Sequence, residues 1–348
     1  KGIVKRDVTR IVTPGMVLDD ESLEARANNF LVAVVGFAEG AAGKGGVPGR
    51  FGVCALDVST GEMIATELHD GALADEMVRL SPREIVVDEG VSDATIARLP
   101  KVRIEKRATP KKRALLERLG APDALLVEQR AALFACELAL TYVEETGQGK
   151  LPPHLKPPRG YVVDAQLLLD PTTRAHLALT GPSGDLRRAG TLLHVLDRTK
   201  TAAGGRRLLR MLVAPSADLA VIEQRLDRVD MFVADPGLRR ALREALTGFP
   251  DVERLVARAS SKRAVPRDLV RLRDALRVMP HLRDLGDARI DGVRALGDVL
   301  DKAMVDEPAL ALGAGPVFAV GYDAKLDELS SLAGGGRDKI AALEENEK

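Results

Sequence analysis

The stretch from Thr191 to Val229, TLLHVLDRTKTAAGGRRLLRMLVAPSADLAVIEQRLDRV, restricts the folds open to this chain more than any other. Three apolar faces at helical spacing follow one another with hardly a gap. Leu192, Leu193 and Leu196 make the first, which ends at the turn-like Asp197–Lys200. Leu208, Leu209 and Leu212 make the second, stopped by Pro215. Leu219, Ile222, Leu226 and Val229 make the third, with Ser216 or Asp218 placed to cap its first turn. Gly204 and Gly205 open the middle helix, where a missing side chain lets two segments approach closely. Physical chemistry alone reads this as a junction of short helices in a large helical domain.

What precedes it is patterned differently. Lys1–Thr13 alternates apolar and polar residues as a strand does, and Pro14-Gly15 closes it. Strands are expected at Phe30–Ala38, Phe51–Ser59 and Glu62–His69, joined by the glycine-rich loop Glu39–Arg50 and the tight turn Thr60-Gly61. Helix and strand then alternate: Ala72–Leu80, Glu84–Val87, Asp93–Leu99, Val102–Glu105 and helical Pro110–Leu119. A meander followed by such alternation implies a mixed sheet covered by helices. Leu125–Thr146 reads as one longer helix. Gly147–Tyr161 holds four prolines, which cannot join a regular ladder and stiffen a linker, so a boundary is expected there. Beyond it, after a brief strand expected at Tyr161–Asp164, the pattern is helical, with Pro266 opening one helix, Val293–Met304 forming another and Tyr322–Lys348 a last one interrupted by Gly334–Gly336. The expected fold class is α/β plus all-α.

A chain of 348 residues is long enough for two or three domains. It has no tryptophan and few aromatics, so its cores must be aliphatic. Cys54 and Cys136 are too few for a disulfide framework and sit in apolar stretches, as buried thiols of a reducing compartment would. No apolar run reaches membrane-spanning length. Net charge is zero, but residues 187–283 carry 21 basic against 11 acidic side chains and residues 284–348 carry 7 against 14. A basic block can face a polyanion, yet no interleaved aromatics are present to stack on bases. The chain opens on Lys1 and closes within a helical pattern, which suggests a piece of something longer.

Catalytic motifs are sparse. Gly43-Lys44 is followed by Gly45 and Gly46 where a phosphate loop needs Ser or Thr, and Gly204-Gly205-Arg206 fails in the same way. The five histidines are scattered singly, without metal-ligand spacing. Asp57, on a strand of the meander, invites comparison with two-metal nucleases of ribonuclease H-like fold, in which several acids converge; Asp88 and Glu89 are the only candidates to join it.

The central stretch closely resembles the core, or lever, domain of the MutS family of DNA mismatch repair ATPases. The resemblance rests on Val195-Leu196-Asp197-Arg198-Thr199-Lys200-Thr201, on Gly204-Gly205-Arg206-Arg207-Leu208-Leu209, and on Pro215, Ile222, Arg225 and Val229. It extends in family order through Arg10-Ile11-Val12-Thr13-Pro14-Gly15, Asp251-Val252-Glu253-Arg254-Leu255, Pro266-Arg267-Asp268-Leu269 and Gly321-Tyr322-Asp323-Ala324-Lys325-Leu326-Asp327-Glu328-Leu329. The resemblance implies residues 1–20 as the tail of a mismatch-binding domain, 21–149 as a ribonuclease H-like connector domain and 150–348 as an all-helical lever domain. It implies a structural core motif of Asp197, Thr199, Thr201, Gly204, Gly205 and Arg206, with no catalytic, cofactor-binding or metal-binding residue in this chain. ATP and magnesium, mismatched duplex DNA and homodimer contacts would belong to other parts of the full-length family protein. A MutL-type partner would meet the connector, with Lys111, Lys112 and Arg113 as a candidate face. The family implies a cytoplasmic, nucleoid-associated bacterial protein. The family's mismatch-binding domain carries a Phe-x-Glu wedge, and no Phe-x-Glu triplet is expected in this piece. Two readings of other classes stand beside it: a stand-alone protein–protein adaptor, and a metal-dependent nuclease using Asp57.

Overall fold

The computed structural model describes residues 11–37, 49–167, 169–182, 185–286 and 294–332. The first ten residues of the expected opening strand, Gly43-Lys44, and the last expected helix beyond residue 332 lie outside them. The chain forms two compact units, 1–262 and 263–348.

The first unit is built on β1 (Leu31–Phe37), whose residues Leu31 to Val35 are all buried. A strand apolar on both faces needs cover on both, and its side chains alternate between them. Leu31, Ala33 and Val35 therefore join one core cluster, and Val32 and Val34 join another. β2 (Arg50–Asp57) and β3 (Glu62–His69) complete an antiparallel meander. α1 (Asp70–Leu80) crosses one face and delivers β4 (Glu84–Asp88) parallel to β1. After α2 (Asp93–Ile96), β5 (Arg103–Arg107) pairs parallel to β4. α3 (Ala114–Leu119), α4 (Ala124–Val127) and α5 (Arg130–Thr146) follow, and α5 packs across β2 and β1 on the other face. The proline-rich linker contributes β6 (Arg159–Gly160), only two residues paired parallel to β3, ahead of the strand expected at Tyr161–Asp164, where a single helical turn at Val163–Ala165 stands instead. The sheet order is β5-β4-β1-β2-β3-β6.

Two helices differ from their expected limits. Leu125–Thr146 is not one helix. Asp123 caps α4 and also accepts the Gly160 amide at 2.9 Å, while Gln129 leaves helical geometry and accepts the Glu67 amide at 2.9 Å. Serving the edge of β3 breaks the helix at Glu128-Gln129. Pro110–Leu119 is helical only from Ala114, where the buried Glu137 carboxylate accepts the Leu115 and Leu116 amides at 3.0 and 2.9 Å. Lone amides of a first turn need such an acceptor, and it fixes where the turn begins.

Beyond the linker come α6 (Pro171–His176), α7 (Leu192–Leu196), α8 (Ala202–Val213), α9 (Leu219–Ala234), α10 (Pro236–Ala245) and α11 (Val252–Ser260). Thr191, Thr201, Asp218 and Asp235 cap α7 to α10 through their side chains. The third apolar face expected from the sequence does lie along α9, but Leu219, Leu226 and Val229 are each more than half exposed.

The second unit holds α12 (Pro266–Asp284) and α13 (Arg294–Ala303), which pack around Val270, Ala303, Met304 and Val317. Buried Arg273 meets Asp274 and Asp306, each at 3.0 Å. A further helical segment runs over 324–332.

Candidate functional site: an arginine-held joint

The turn after α7 organises the site. Asp197 accepts the Thr199 amide at 3.1 Å and the Thr199 hydroxyl at 2.5 Å through one carboxylate oxygen. Asx-type bonding of this kind fixes a tight turn. The other oxygen accepts Arg26 at 2.9 Å and Arg187 at 2.8 Å. Burial alone would push the Asp197 carboxyl up. Hydrogen bonds from Thr199, Arg187 and Arg26 outweigh it and hold the group well below the ordinary carboxylate range.

Thr201 then caps α8 by accepting the Gly204 amide at 3.0 Å. A Cβ on Gly205 would stand 2.9 to 3.0 Å from three carbons of the Arg26 side chain, so the glycine is what admits Arg26 against the helix. One residue on, Arg206 is 2% exposed and donates to Asp251 at 2.6 and 2.9 Å and to Glu253 at 2.8 Å. Burial disfavours the Arg206 charge, but the two carboxylates more than offset that and keep it firmly protonated. Asp251 is held below its ordinary range, again against the effect of burial, chiefly by Arg206.

The same arginines hold a length of backbone. Arg254 donates to the carbonyls of Glu24 and Ala27 at 3.1 and 3.0 Å, Arg206 to Ala25 at 2.9 Å and Arg187 to Arg26 at 3.0 Å. Four successive carbonyls, leading into β1, are thus taken by guanidinium groups from the helical region. Buried backbone acceptors need partners, and charged donors supply the stronger kind. All six motif residues named from the sequence, Asp197, Thr199, Thr201, Gly204, Gly205 and Arg206, lie at this joint. Arg26 and Arg187 carried no signal in the sequence, because their role depends on segments more than 150 residues apart.

A second fastening lies at the other end of the same segment. Glu84, wholly buried on β4, accepts the Thr13 hydroxyl at 2.5 Å, the Gly15 amide at 3.0 Å and the Tyr142 hydroxyl at 2.7 Å, and pairs with Arg103 at 3.0 Å. Burial and the Glu84 hydrogen bond push the Tyr142 hydroxyl well above the ordinary phenol range, so it stays a donor.

Asp57 is fully buried and accepts Ser59, Asn28 and Asn29. One oxygen is spent on the turn after β2 and the other on Asn28 and Asn29, ahead of β1. Asp88 accepts the Gly90 and Thr109 amides. Among the described residues no three His, Cys, Asp or Glu side chains are grouped to hold a metal ion. Lys111 and Lys112 are exposed ahead of α3, and the Arg113 guanidinium lies 5.7 Å from the Phe134 ring centre. Cys54 and Cys136 are free and buried. No helix among the described residues is long and apolar enough to cross a membrane.

Comparison with known proteins bears on both halves. Residues 29–156 match the family model for MutS domain II, and residues 172–345 match that for MutS domain III. The chain belongs to the MutS family. It is 37% identical over 371 aligned positions to the DNA mismatch repair protein MutS of Rhodopseudomonas palustris strain BisB5, covering 99% of this chain and 39% of that protein. The MutS of Zymomonas mobilis is 36% identical, with 99% and 41% covered, and that of Ruegeria sp. TM1040 is 36% identical, with 99% and 40% covered. The chain spans about two fifths of the length of these relatives. The arginine-held joint ties residues just before the domain II match to side chains within the domain III match. One expectation from the MutS resemblance needs correcting. A Phe-x-Glu triplet does occur, Phe37-Ala38-Glu39, but Phe37 closes β1 within the domain II match and lies under Arg130, 6.0 Å from its guanidinium.

Proposed function

We propose that this chain is the connector and lever portion of a MutS-type mismatch recognition protein, a mechanical link between DNA-binding and ATP-hydrolysing parts. The observation that carries the reading is the grip of Arg187, Arg206 and Arg254 on the carbonyls of residues 24–27, which joins the sheet to the helices through charged, buried bonds. A joint of that kind transmits displacement, because packed polar networks rearrange between discrete states rather than deform. We assign residues 1–20 to the tail of a mismatch-binding domain, 21–149 to the connector and 150–348 to the lever. The strand order, with an antiparallel meander flanked by parallel β4 and β5, supports a ribonuclease H-like connector.

In this reading mismatched duplex DNA, ATP with magnesium and the homodimer contacts belong to the longer protein, and the chain itself hydrolyses no ATP. A MutL-type partner meets the connector near Lys111, Lys112 and Arg113. The expected setting is the bacterial cytoplasm, at the nucleoid.

The test uses the 348-residue chain. Calorimetry with a purified MutL-type protein should show binding that weakens when Lys111, Lys112 and Arg113 are changed to Glu. Equal-length perfect and mispaired duplexes should bind weakly, with equal affinity and steep salt dependence. A clear preference for the mispaired duplex, or ATP hydrolysis above background, would overturn the assignment.

A further inference from the structure

The end of α1, together with Ser81-Pro82-Arg83, faces residues of the 171–191 region and the last turns of α8 across a cavity of about 1020 Å3. Ligand cavities commonly reach about 1,000 Å3, so the space is ample for a small organic molecule. Its apolar wall includes Phe30, Met77, Leu80, Val102, Leu209 and Val213. Its charged wall is of one sign. Arg79, Arg83, Lys101, Arg174, Arg188 and Arg210 line it, and among the described residues no Asp or Glu does.

Three of these cations have carboxylate partners behind the wall: Arg79 with Glu76, Arg83 with Glu24 at 3.7 Å, and Arg210 with Glu62. Among the described residues, the ion pairs of the lining cations are these three, and none involves Lys101, Arg174 or Arg188. The Nε atoms of both Arg174 and Arg210 are buried without a hydrogen-bond partner. Folded proteins rarely leave buried donors idle, and a guanidinium is an expensive one to leave so. Burial first, and then the nearby Arg79 charge, hold Arg174 below the ordinary arginine range, against the weaker pull of Glu76, Asp75 and Asp170. An anion seated in the cavity would reverse both effects, since it brings opposite charge and acceptor oxygens to the same place.

We propose that this cavity is a binding site for an organic phosphate, with an apolar body against the Phe30–Met77 wall and the phosphate received by Arg174 and Arg188. Arginine suits the role because its planar fork matches two oxygens of a phosphate at once. The cavity borders the joint at Ala27, and its wall residue Arg83 pairs with Glu24, but Arg174 and Arg188 make none of the bonds to residues 24–27, so the proposal does not depend on the assignment of that joint.

Calorimetric titration of the whole chain at physiological salt, with naphthyl phosphate, naphthol and inorganic phosphate as probes, tests it. Naphthyl phosphate should bind one per chain and at least about tenfold more tightly than either of the others, because only it uses both walls. Arg174→Ala and Arg188→Ala should each weaken it by about tenfold, the size of one charge-assisted hydrogen bond. Arg174→Lys, which keeps the charge but not the fork, should fall between wild type and alanine. Arg240→Ala, on α10 and away from the cavity, should change nothing. Thermal melts of each variant establish that it is folded, and Arg188, being exposed, is replaceable without loss of core packing. Equal affinity for naphthol and naphthyl phosphate, no binding at millimolar probe, or binding unchanged in both arginine variants would overturn the proposal.

Discussion

Arg206 and Asp251 meet in a two-pronged ion pair, at 2.6 and 2.9 Å, with Arg206 almost wholly out of solvent. The two residues sit on different elements: Arg206 in α8, Asp251 immediately before α11. Because Arg206 also holds the Ala25 carbonyl, the pair ties both helices to the chain that leads into β1. A planar guanidinium can satisfy all these acceptors at once, whereas a lysine ammonium cannot span them.

Arg206→Ala should therefore destabilise the chain by about 3 kcal/mol or more, since removing one partner of a buried pair strands the other. Arg206→Lys should recover less than half of that. Urea unfolding followed by circular dichroism measures both, and a loss of only a few tenths for Arg206→Ala would contradict the role given to this pair.

Gly205 is predicted to be a contact glycine, not a flexible one. Gly205→Ala drives a methyl into Arg26 and should cost about 1–2 kcal/mol, the usual scale of overpacking. In an Arg26→Gly background all three contacting carbons are gone, and the same change should stabilise by up to about 1 kcal/mol, the helix preference for alanine over glycine. The sign reversal in this double-mutant cycle is the diagnostic; two destabilising effects that simply add would refute the contact.

Acid should loosen the joint. The Asp197 carboxyl is depressed in the folded chain relative to the unfolded one, so it contributes stability that is fully present above about pH 4. That contribution is lost as pH falls from there through the folded value. Asp197→Asn should be less stable than wild type at neutral pH and show a flatter decline below about pH 4. Parallel acid limbs in the two proteins would exclude Asp197 as a source of the pH dependence.

Glu84 should govern how firmly residues 13–15 are held. Glu84→Gln keeps the shape but loses the charge that Arg103 and the Thr13 hydroxyl meet, and should cost about 1–3 kcal/mol. Hydrogen exchange at the Gly15 amide, which donates to Glu84, should speed up more than exchange at the amides of β2. Uniform acceleration across the sheet would point to general destabilisation instead.

Short-range physics was legible in the chain. The continuous apolar run of β1, the Thr60-Gly61 turn, Asp218 as a cap and Pro266 at the start of α12 are each fixed by neighbours a few residues away, and the structure shows them. The break at Glu128-Gln129 was not legible, because Gln129 is drawn out of the helix by Glu67, more than 60 residues away. Nor was the role of Arg26, which looks like any surface arginine until Gly205, Asp197 and Thr199 surround it.

Taken alone, the sequence determined the local elements, the change from mixed sheet to helices and the membership in a family, since periodicity, capping and motif order are properties of adjacent residues. Only the tertiary structure decided that Arg187, Arg206 and Arg254 converge on residues 24–27 and that six cations from distant segments line the α1–α8 cavity together. Such convergence depends on where distant segments pack, and a charge reveals its partner only after the backbone has brought the two within a few ångströms.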